Sequence, residues 1–379
     1  MSEEELRQEI FKRSESNKAK LIELIESGEA ILLAGAGVTA SMFVTWKGLV
    51  EEFQRVATEA QPDFAPFDDT AENYLDFFDR VKAVLIAEIY TNVIMQKFHT
   101  DTFEDYHKLL VSMPFRGFVT TNYDTVLENA LTHLTRKSQM PVSIDEGINA
   151  KVLLSFFKSL NYNKLNARKI FHIHGLNYTP NTILLSQSEY MEKYGYILTP
   201  PTPPVLAELA NPDLTQDQIN KILSQSSLRW TAHRKILWSL LATRRVIFMG
   251  FSIEDPYFLQ MLNMVKDDLN TYDDEVHMAV FRLAEGGAAK AAKIVKELSQ
   301  YGIECVFYED DQSYSGFSKF VSELSGAVSI HPSIPREEHP DAAAAQQEGS
   351  ENVVDEQQEI PDWMNDQNRV LSKDIRNED

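Results

Sequence analysis

The chain has 379 residues, of which 43% are hydrophobic and 25% are charged, as in globular proteins that bury a sizeable core without staples. Its formal net charge of −21 argues against direct, non-specific binding of nucleic acid, because contacts to phosphates need Lys and Arg. The single cysteine, Cys305, excludes an internal disulfide framework and any zinc site built from several cysteines.

The first predicted element is an amphipathic helix within residues 1–29, which ends at Gly28. It is charged and lacks the apolar region of a signal peptide, and no apolar run in the chain is long enough to span a bilayer. We therefore expect a cytoplasmic protein that does not bind membranes. A buried strand over 30–34 follows and runs directly into a Gly-Ala-Gly turn, and helices are predicted over 47–60 and 73–98.

Apolar runs that end at glycine or polar residues predict five further strands, with helices between some of them. The predicted strands are 117–121, 169–174, 245–249, 277–283 and 304–308, and the predicted helices among them are 125–134 and 288–300.

Unbroken apolar strands that alternate with helices predict an α/β fold, namely a Rossmann-like parallel sheet with helices on both faces. The helical stretches 47–110 and 186–241 are too long for simple crossovers, so they predict a helical module inserted into the sheet domain. The predicted domain spans 30–330. Residues 331–379 are acidic and poor in large apolar side chains, which predicts a disordered tail.

Four of the predicted strands end in glycine or polar residues. Those ends hold Gly35–Gly37, 120–124, His174 with Gly175, and 250–252. Because open parallel sheets bind ligands at the carboxyl ends of their strands, this convergence predicts a nucleotide site. The first motif alone leaves another interpretation open: Gly-x-Gly after a strand also serves as a tight turn that needs no ligand.

Two histidines lie on the third of these strands. Strand alternation predicts that His172 and His174 point to the same face. A metal pair would need further ligands, which no nearby spacing supplies, so no metal site is predicted. We interpret His172 as a core histidine, whereas His174 at the strand end is suited to act as a base or to bind a ribose hydroxyl. Asn122 and Asp124 are open to two compatible interpretations, as turn residues that cap the next helix and as site residues.

Together these short motifs stand in the order in which sirtuins carry them. Gly-Ala-Gly follows the first strand, Thr-Thr-Asn-Tyr-Asp occupies 120–124, His-Gly occupies 174–175 and Gly-Phe-Ser occupies 250–252. The chain therefore resembles the sirtuins over roughly residues 30–310. The order and placement of the motifs, rather than any one of them, carry this resemblance.

The resemblance implies that NAD is bound as a substrate, without a metal. It implies that Asn122 lies beneath the nicotinamide ribose and positions the attacking water, and that His174 binds the ribose hydroxyls and acts as general base. It also implies that the first loop binds the pyrophosphate, the second lines the nicotinamide pocket and the fourth binds the phosphate and adenosine ribose. The binding residues so implied are, loop by loop, Gly35, Ala36, Gly37 and Thr39; Tyr123 and Asp124; Gly250 and Ser252.

Two departures narrow the resemblance. One cysteine cannot build the four-cysteine zinc ribbon of protein deacetylases, and Ser-Met-Phe-Val-Thr-Trp-Lys at 41–47 replaces their Gly-Ile-Pro-Asp-Phe-Arg loop. With its helical insertions, the chain looks like the sirtuin-like NADases of bacterial anti-phage defence. Its size, N-terminal helix and tail resemble the sirtuin-like partner of HerA-type ATPases.

This narrower resemblance implies an NAD+ glycohydrolase that depletes NAD in abortive infection and is regulated by a HerA-type ATPase partner, with a homo-oligomer expected. Two alternatives stay open. A protein deacylase would need an acyl-lysine groove, which is usually built with the missing zinc module. A non-catalytic sensor of NAD or of an ADP-ribose-like ligand would not need both Asn122 and His174.

Overall fold

A computed structural model of the chain describes residues 2–144, 150–161, 165–179, 182–194, 215, 218, 231–251, 256–269, 277–309 and 315–329. The strands of these segments are β1 (Ile31–Ala34), β2 (Gly117–Thr120), β3 (Val142–Ser143), β4 (Ile170–His172), β5 (Val246–Met249), β6 (His277–Leu283) and β7 (Ile303–Glu309). They form one sheet in the order β3-β4-β2-β1-β5-β6-β7, and every neighbouring pair is parallel.

Helices flank the strands throughout the described segments. They are α1 (Glu3–Glu26), α2 (Trp46–Ala60), α3 (Tyr74–Val84), α4 (Ala87–Phe98), α5 (Asp105–Ser112), α6 (Val126–Thr135), α7 (Ala150–Ser159), α8 (Gln187–Tyr194), α9 (Ala232–Thr243), α10 (Pro256–Leu269), α11 (Ala288–Ser299) and α12 (Ser315–Ala327). None of the described helices combines the length and the apolar character needed to cross a bilayer.

The apolar strands are buried on both faces, which is why their sequences do not alternate with polar residues. Leu33 on β1 and Phe248 on β5 belong to one core, together with side chains of α9 and α10. Leu32 and Ile247, one position earlier on the same strands, belong to a second core with side chains of α5, α6 and α12. The predicted parallel α/β sheet with helices on both faces is thereby confirmed.

The four strands with polar or glycine-rich ends lie side by side as β4-β2-β1-β5. The chain first builds outward from β1 to β2 and its neighbours, and then returns to add β5 on the other side of β1. Such a reversal of strand order opens a crevice at the carboxyl ends of the strands, where ligands bind in this class of sheet. The predicted convergence of the four ends is confirmed.

Helices α2, α3 and α4 form most of a third core, to which Tyr123, Ile183 and Leu185 also belong. Phe53 on α2, Phe77 and Phe78 on α3 and Ile94 on α4 are completely buried in it. The prediction of a helix running over 73–98 is wrong in one respect, because Leu85 and Ile86 adopt extended backbone angles that separate α3 from α4. No glycine or proline marks this break in the sequence.

The second predicted helical stretch, 186–241, is described only at its two ends, by α8 and α9. Most of 195–230 lies outside the described residues, as does the whole acidic tail, 331–379.

Helix α1 lies against β7, the last strand of the sheet. Ser14 both donates to the carbonyl oxygen of Phe307, at 3.1 Å, and accepts from its N–H, at 2.7 Å, while Asn17 donates to the carbonyl oxygen of Cys305 at 2.9 Å. Polar side chains of the helix thereby form hydrogen bonds with backbone groups on the outer edge of β7. This arrangement satisfies buried backbone atoms that would otherwise need another strand.

Gly250, at the end of β5, offers a test of how tightly the strand ends pack. Its φ is +64°, and a Cβ there would lie 2.4 Å from the nitrogen of Val38. We expect Gly250→Ala to lower the free energy of unfolding by on the order of 3–5 kcal/mol in a denaturant titration, because the strain of positive φ adds to a backbone clash.

Gly286 supplies the matched control. Its φ is +68°, but a Cβ there would meet nothing within 4 Å. Gly286→Ala should therefore cost only the strain, about 1–2 kcal/mol. An equal loss of stability in the two variants would show that the close contact at Gly250 is unimportant.

Candidate functional site

The Gly-Ala-Gly turn after β1 packs directly on the turn after β5. The N–H of Gly37 donates to the carbonyl oxygen of Gly250 at 2.8 Å. A Cβ on Gly35 would lie 2.5 Å from that same oxygen, and one on Gly37 would lie 2.7 Å from the Cα of Gly250. This contact between backbones accounts for the glycines even without a ligand, and it leaves Ala36 exposed at the tip of the turn.

Three polar side chains from the first two strand ends form a buried hydrogen-bonded cluster. The amide nitrogen of Asn122 donates to the hydroxyl of Thr39 at 3.1 Å, and this hydroxyl donates to Oδ2 of Asp124 at 3.0 Å. All three residues are less than 9% exposed. Thr39, which the resemblance assigns to the pyrophosphate, therefore uses its hydroxyl to connect the two loops.

The direction of these bonds fixes how Asn122 faces the crevice. An ionised carboxylate can only accept, so Thr39 donates to Asp124 and must accept from Asn122. The NH₂ group of Asn122 therefore faces Thr39, and its carbonyl oxygen Oδ1 faces the other way. No described residue donates a hydrogen bond to that oxygen. It is an acceptor that a water molecule or a ligand hydroxyl could use.

Asp124 also serves the turn that precedes α6, since its Oδ1 accepts from the N–H of Val126 at 3.0 Å. The interpretation of Asp124 as a turn residue is therefore confirmed, and its contact with Thr39 also makes it a member of the polar cluster. Burial raises the pKa of Asp124 to about 6, against the opposing effects of the Val126 hydrogen bond and of His172.

This pKa leads to a prediction about pH. Below pH 6, protonated Asp124 becomes a donor to Thr39, which then donates to Asn122 and turns its amide so that the NH₂ group faces the crevice. Any reaction that needs Oδ1 of Asn122 should therefore slow as the pH falls through about 6, which a pH–rate profile measures. In Asp124→Asn, the N–H of Val126 needs an acceptor, so the new side chain turns its amide oxygen to Val126 and its NH₂ group to Thr39. Thr39 then donates to Asn122 at every pH, and the slow state should persist from pH 5 to 8.

The stability of the same variant serves as its control. The native state holds the proton of Asp124 more tightly than the unfolded chain does, so the ionised group costs stability, and this cost grows between pH 3.8 and about 6. The full difference corresponds to about 3 kcal/mol. We expect Asp124→Asn to unfold at a higher temperature than the wild type at pH 8. A profile for the variant that still rises through pH 6 would contradict the assignment to Asp124.

His174 follows β4 and lines a small pocket together with Thr121, Tyr194 and Phe251. Its Nδ1 is 3.0 Å from the hydroxyl of Tyr190 on α8. Burial lowers the pKa of His174 to about 3, so its imidazole is neutral at physiological pH and able to accept a proton.

His172 does not share the face of His174, so that prediction is wrong. Strand β4 ends at His172, and although Ile173 still shares the core of Phe171, the alternation of side chains breaks at His174, next to Gly175 with its φ of +92°. The ring of His172 turns to Glu128 on α6, with Nε2 2.7 Å from Oε1, whereas His174 turns to Tyr190 on the other side of the sheet. The interpretation of His172 as a core histidine agrees with its complete burial.

The remaining predicted site residues are placed as follows. Tyr123 is buried, and its hydroxyl donates to the carbonyl oxygen of Leu184 at 2.6 Å, toward the helical core rather than toward Asn122. Ser252 lies outside the described residues. Among the residues that are described, no group of three or more His, Cys, Asp or Glu side chains is arranged to hold a metal ion.

Two residues of the site carried no signal in the sequence. Tyr190 meets His174 from a helix that begins 13 positions later, at Gln187, and its place depends on how α8 packs on the sheet. Glu128 lies on α6, where an acidic residue in the first turn is ordinary for its effect on the helix dipole. Only the fold brings it to His172.

Comparisons with known proteins identify the family of the chain. A family model described as a SIR2-like domain matches residues 116–306, from just before β2 into β7. The NAD(+) hydrolase ThsA of Cytobacillus dafuensis is 26% identical over 125 residues, which make up 32% of this chain and 24% of that protein. The chain thus matches about a quarter of that relative's length. The family model covers half of the chain, and the chain therefore belongs to the SIR2-like family.

Proposed function

We propose that the protein is an NAD+ glycohydrolase, which converts NAD+ and water to nicotinamide, ADP-ribose and a proton. The observation that carries the proposal is the orientation of Asn122, whose Oδ1 is left as an acceptor by the chain of hydrogen bonds from Asn122 through Thr39 to Asp124. An acceptor of this kind holds a water by its hydrogen and leaves the oxygen lone pairs free to attack.

The reaction needs little from the protein beyond the orientation of NAD+ and water and a base for the proton of that water. Nicotinamide leaves NAD+ as a neutral molecule, so breaking its bond to ribose needs no proton from the protein. The attacking water must lose a proton as its oxygen bonds to the anomeric carbon. His174, which is neutral at physiological pH, accepts this proton directly or through a ribose hydroxyl.

The exposed Ala36 and the pocket beside His174 suit the two ends of a dinucleotide. The tip of the turn after β1 is accessible for a pyrophosphate, and the aromatic lining of the pocket suits a nucleoside. The relative named as an NAD(+) hydrolase adds support to this reaction.

Nicotinamide released from NAD by the purified full chain, measured by chromatography, tests the proposal. We expect equal amounts of nicotinamide and ADP-ribose without any acylated peptide. Release that depends on an acetylated peptide would show a deacylase instead. Tight binding of NAD without release of nicotinamide would show a sensor, and either result would overturn the proposal.

From the resemblance we also propose a role in anti-phage defence, self-association and regulation by a HerA-type ATPase. Co-expression with such an ATPase should yield a complex that co-purifies, and nicotinamide release by the complex should differ from that of the chain alone. Independent migration of the two proteins with unchanged activity would contradict the proposed partner.

A further inference from the structure

The backbone of Asn122 is held by a buried pair of ionisable residues. His172 is completely buried at the end of β4, and its Nδ1 is 2.8 Å from the carbonyl oxygen of Asn122. Its Nε2 is 2.7 Å from Oε1 of Glu128, which is 3% exposed. The pair therefore connects α6 with the loop after β2 through the ring of a single histidine.

The hydrogen-bond partners of the His172 ring determine how many protons the pair holds. A carbonyl oxygen can only accept, so Nδ1 of His172 carries a hydrogen. One proton must then lie between Nε2 and Oε1, either on the imidazole or on the carboxyl group of Glu128. Both nitrogens are engaged whichever atom holds it, and the ring cannot turn without losing two hydrogen bonds.

Packing alone does not account for the pair. Oε2 of Glu128 is buried and has no hydrogen-bond partner among the described residues, which is costly in a protein interior. Two apolar side chains of similar size would fill the same space, and such replacements are often neutral or stabilising. A pair kept at this cost calls for a role other than filling the core.

The loop that the pair contacts is the one that carries Asn122. The N–H of Asn122 donates to Oγ1 of Thr120 at 3.0 Å, its side chain donates to Thr39, and its carbonyl oxygen is held only by His172 among the described residues. That carbonyl lies in the peptide plane between Asn122 and Tyr123. A rotation of this plane would move the amide oxygen that faces the crevice.

We propose that the Glu128–His172 pair is a positioning element, which fixes the peptide plane after Asn122 and so holds the Asn122 amide in place for the reaction. This inference rests on the proposed function for its effect on catalysis, but the effect on the loop itself does not.

Three variants of the full chain test the role. Glu128→Leu combined with His172→Phe removes the hydrogen bonds while it keeps similar volume and leaves no buried charge unpaired. Glu128→Gln keeps the geometry, because its amide can donate to Nε2 while Nδ1 still donates to Asn122. The control is His277→Phe, which also replaces a buried histidine bonded to a backbone group, here the N–H of Val246 at 3.1 Å.

The expected kinetic result is a fall in kcat for NAD on the order of 10- to 100-fold in the double variant, with KM changed by less than about threefold. Glu128→Gln should stay within about threefold of the wild type, and so should His277→Phe per folded molecule. A double variant with the kcat of the wild type would overturn the proposal.

Hydrogen exchange of the amides in 117–126, measured by mass spectrometry without NAD, gives a readout that does not depend on activity. Exchange should be faster in the double variant and unchanged in Glu128→Gln and in His277→Phe. Unchanged exchange in the double variant, or equally faster exchange in His277→Phe, would overturn the proposal. If the wild type releases no nicotinamide but exchange responds as expected, the positioning of the loop stands and the proposed function fails.

Discussion

Replacement of His174 by alanine should lower kcat for NAD hydrolysis by on the order of 10²- to 10⁴-fold, the effect typical of losing a general base. Burial lowers the pKa of His174 to about 3, so the neutral ring, which has a nitrogen lone pair to act as acceptor, is the form present throughout the physiological range. To act at Nε2, the ring must carry its hydrogen on Nδ1 and donate it to the oxygen of Tyr190, 3.0 Å away.

Tyr190→Phe separates the hydrogen bond of Tyr190 to His174 from the packing of the two rings. It keeps the aromatic ring that packs edge-to-face on His174 at 5.1 Å, and it removes the hydroxyl that fixes the tautomer. We expect a decrease in kcat of about tenfold, because the ring then divides its hydrogen between the two nitrogens. A His174→Ala variant that turns over NAD at the wild-type rate would show that another group accepts the proton.

Asn122→Ala is expected to lower kcat by on the order of 10²- to 10³-fold, while NAD still binds with an affinity close to that of the wild type. The variant loses the acceptor that holds the water, but it retains the backbone contacts of the loop. Initial rates of nicotinamide release and a direct binding titration measure the two quantities separately.

Asn129→Ala provides the control for this experiment. Asn129 donates to the carbonyl oxygen of Thr100 at 3.0 Å from α6, away from the crevice. It should lose little activity per folded molecule. An Asn122→Ala variant that hydrolyses NAD as fast as Asn129→Ala would remove Asn122 from the mechanism.

The sheet and the location of the site could be predicted because both depend on local patterns. An unbroken apolar run such as 30–34 followed by glycine specifies a buried strand with a tight turn at its end. The rule that parallel strands end at one edge then brings the glycine turns, Asn122 and His174 together. None of this requires knowledge of how the helices pack.

Details that depend on where an element ends could not be predicted. The opposite directions of His172 and His174 follow from the break in strand alternation at His174, just after the end of β4. The tasks of Thr39 and Glu128 depend on contacts between residues that are distant in the sequence. Helix α12 is not among the predicted elements, but the sequence does contain a signal for it. Apolar residues recur there at helical spacing and are buried, namely Phe317, Phe320, Val321 and Leu324.

The contact between α1 and β7 has a consequence for how the protein is made. The helix leaves the ribosome before the sheet, but Ser14 and Asn17 find their partners on Phe307 and Cys305, almost 300 positions later. Until β7 is synthesised, the growing chain has an amphipathic helix whose apolar face lacks its partner strand and a sheet whose last edge is open to pairing with other chains. Truncations that remove β7 should therefore aggregate during translation, rather than accumulate as a smaller folded domain.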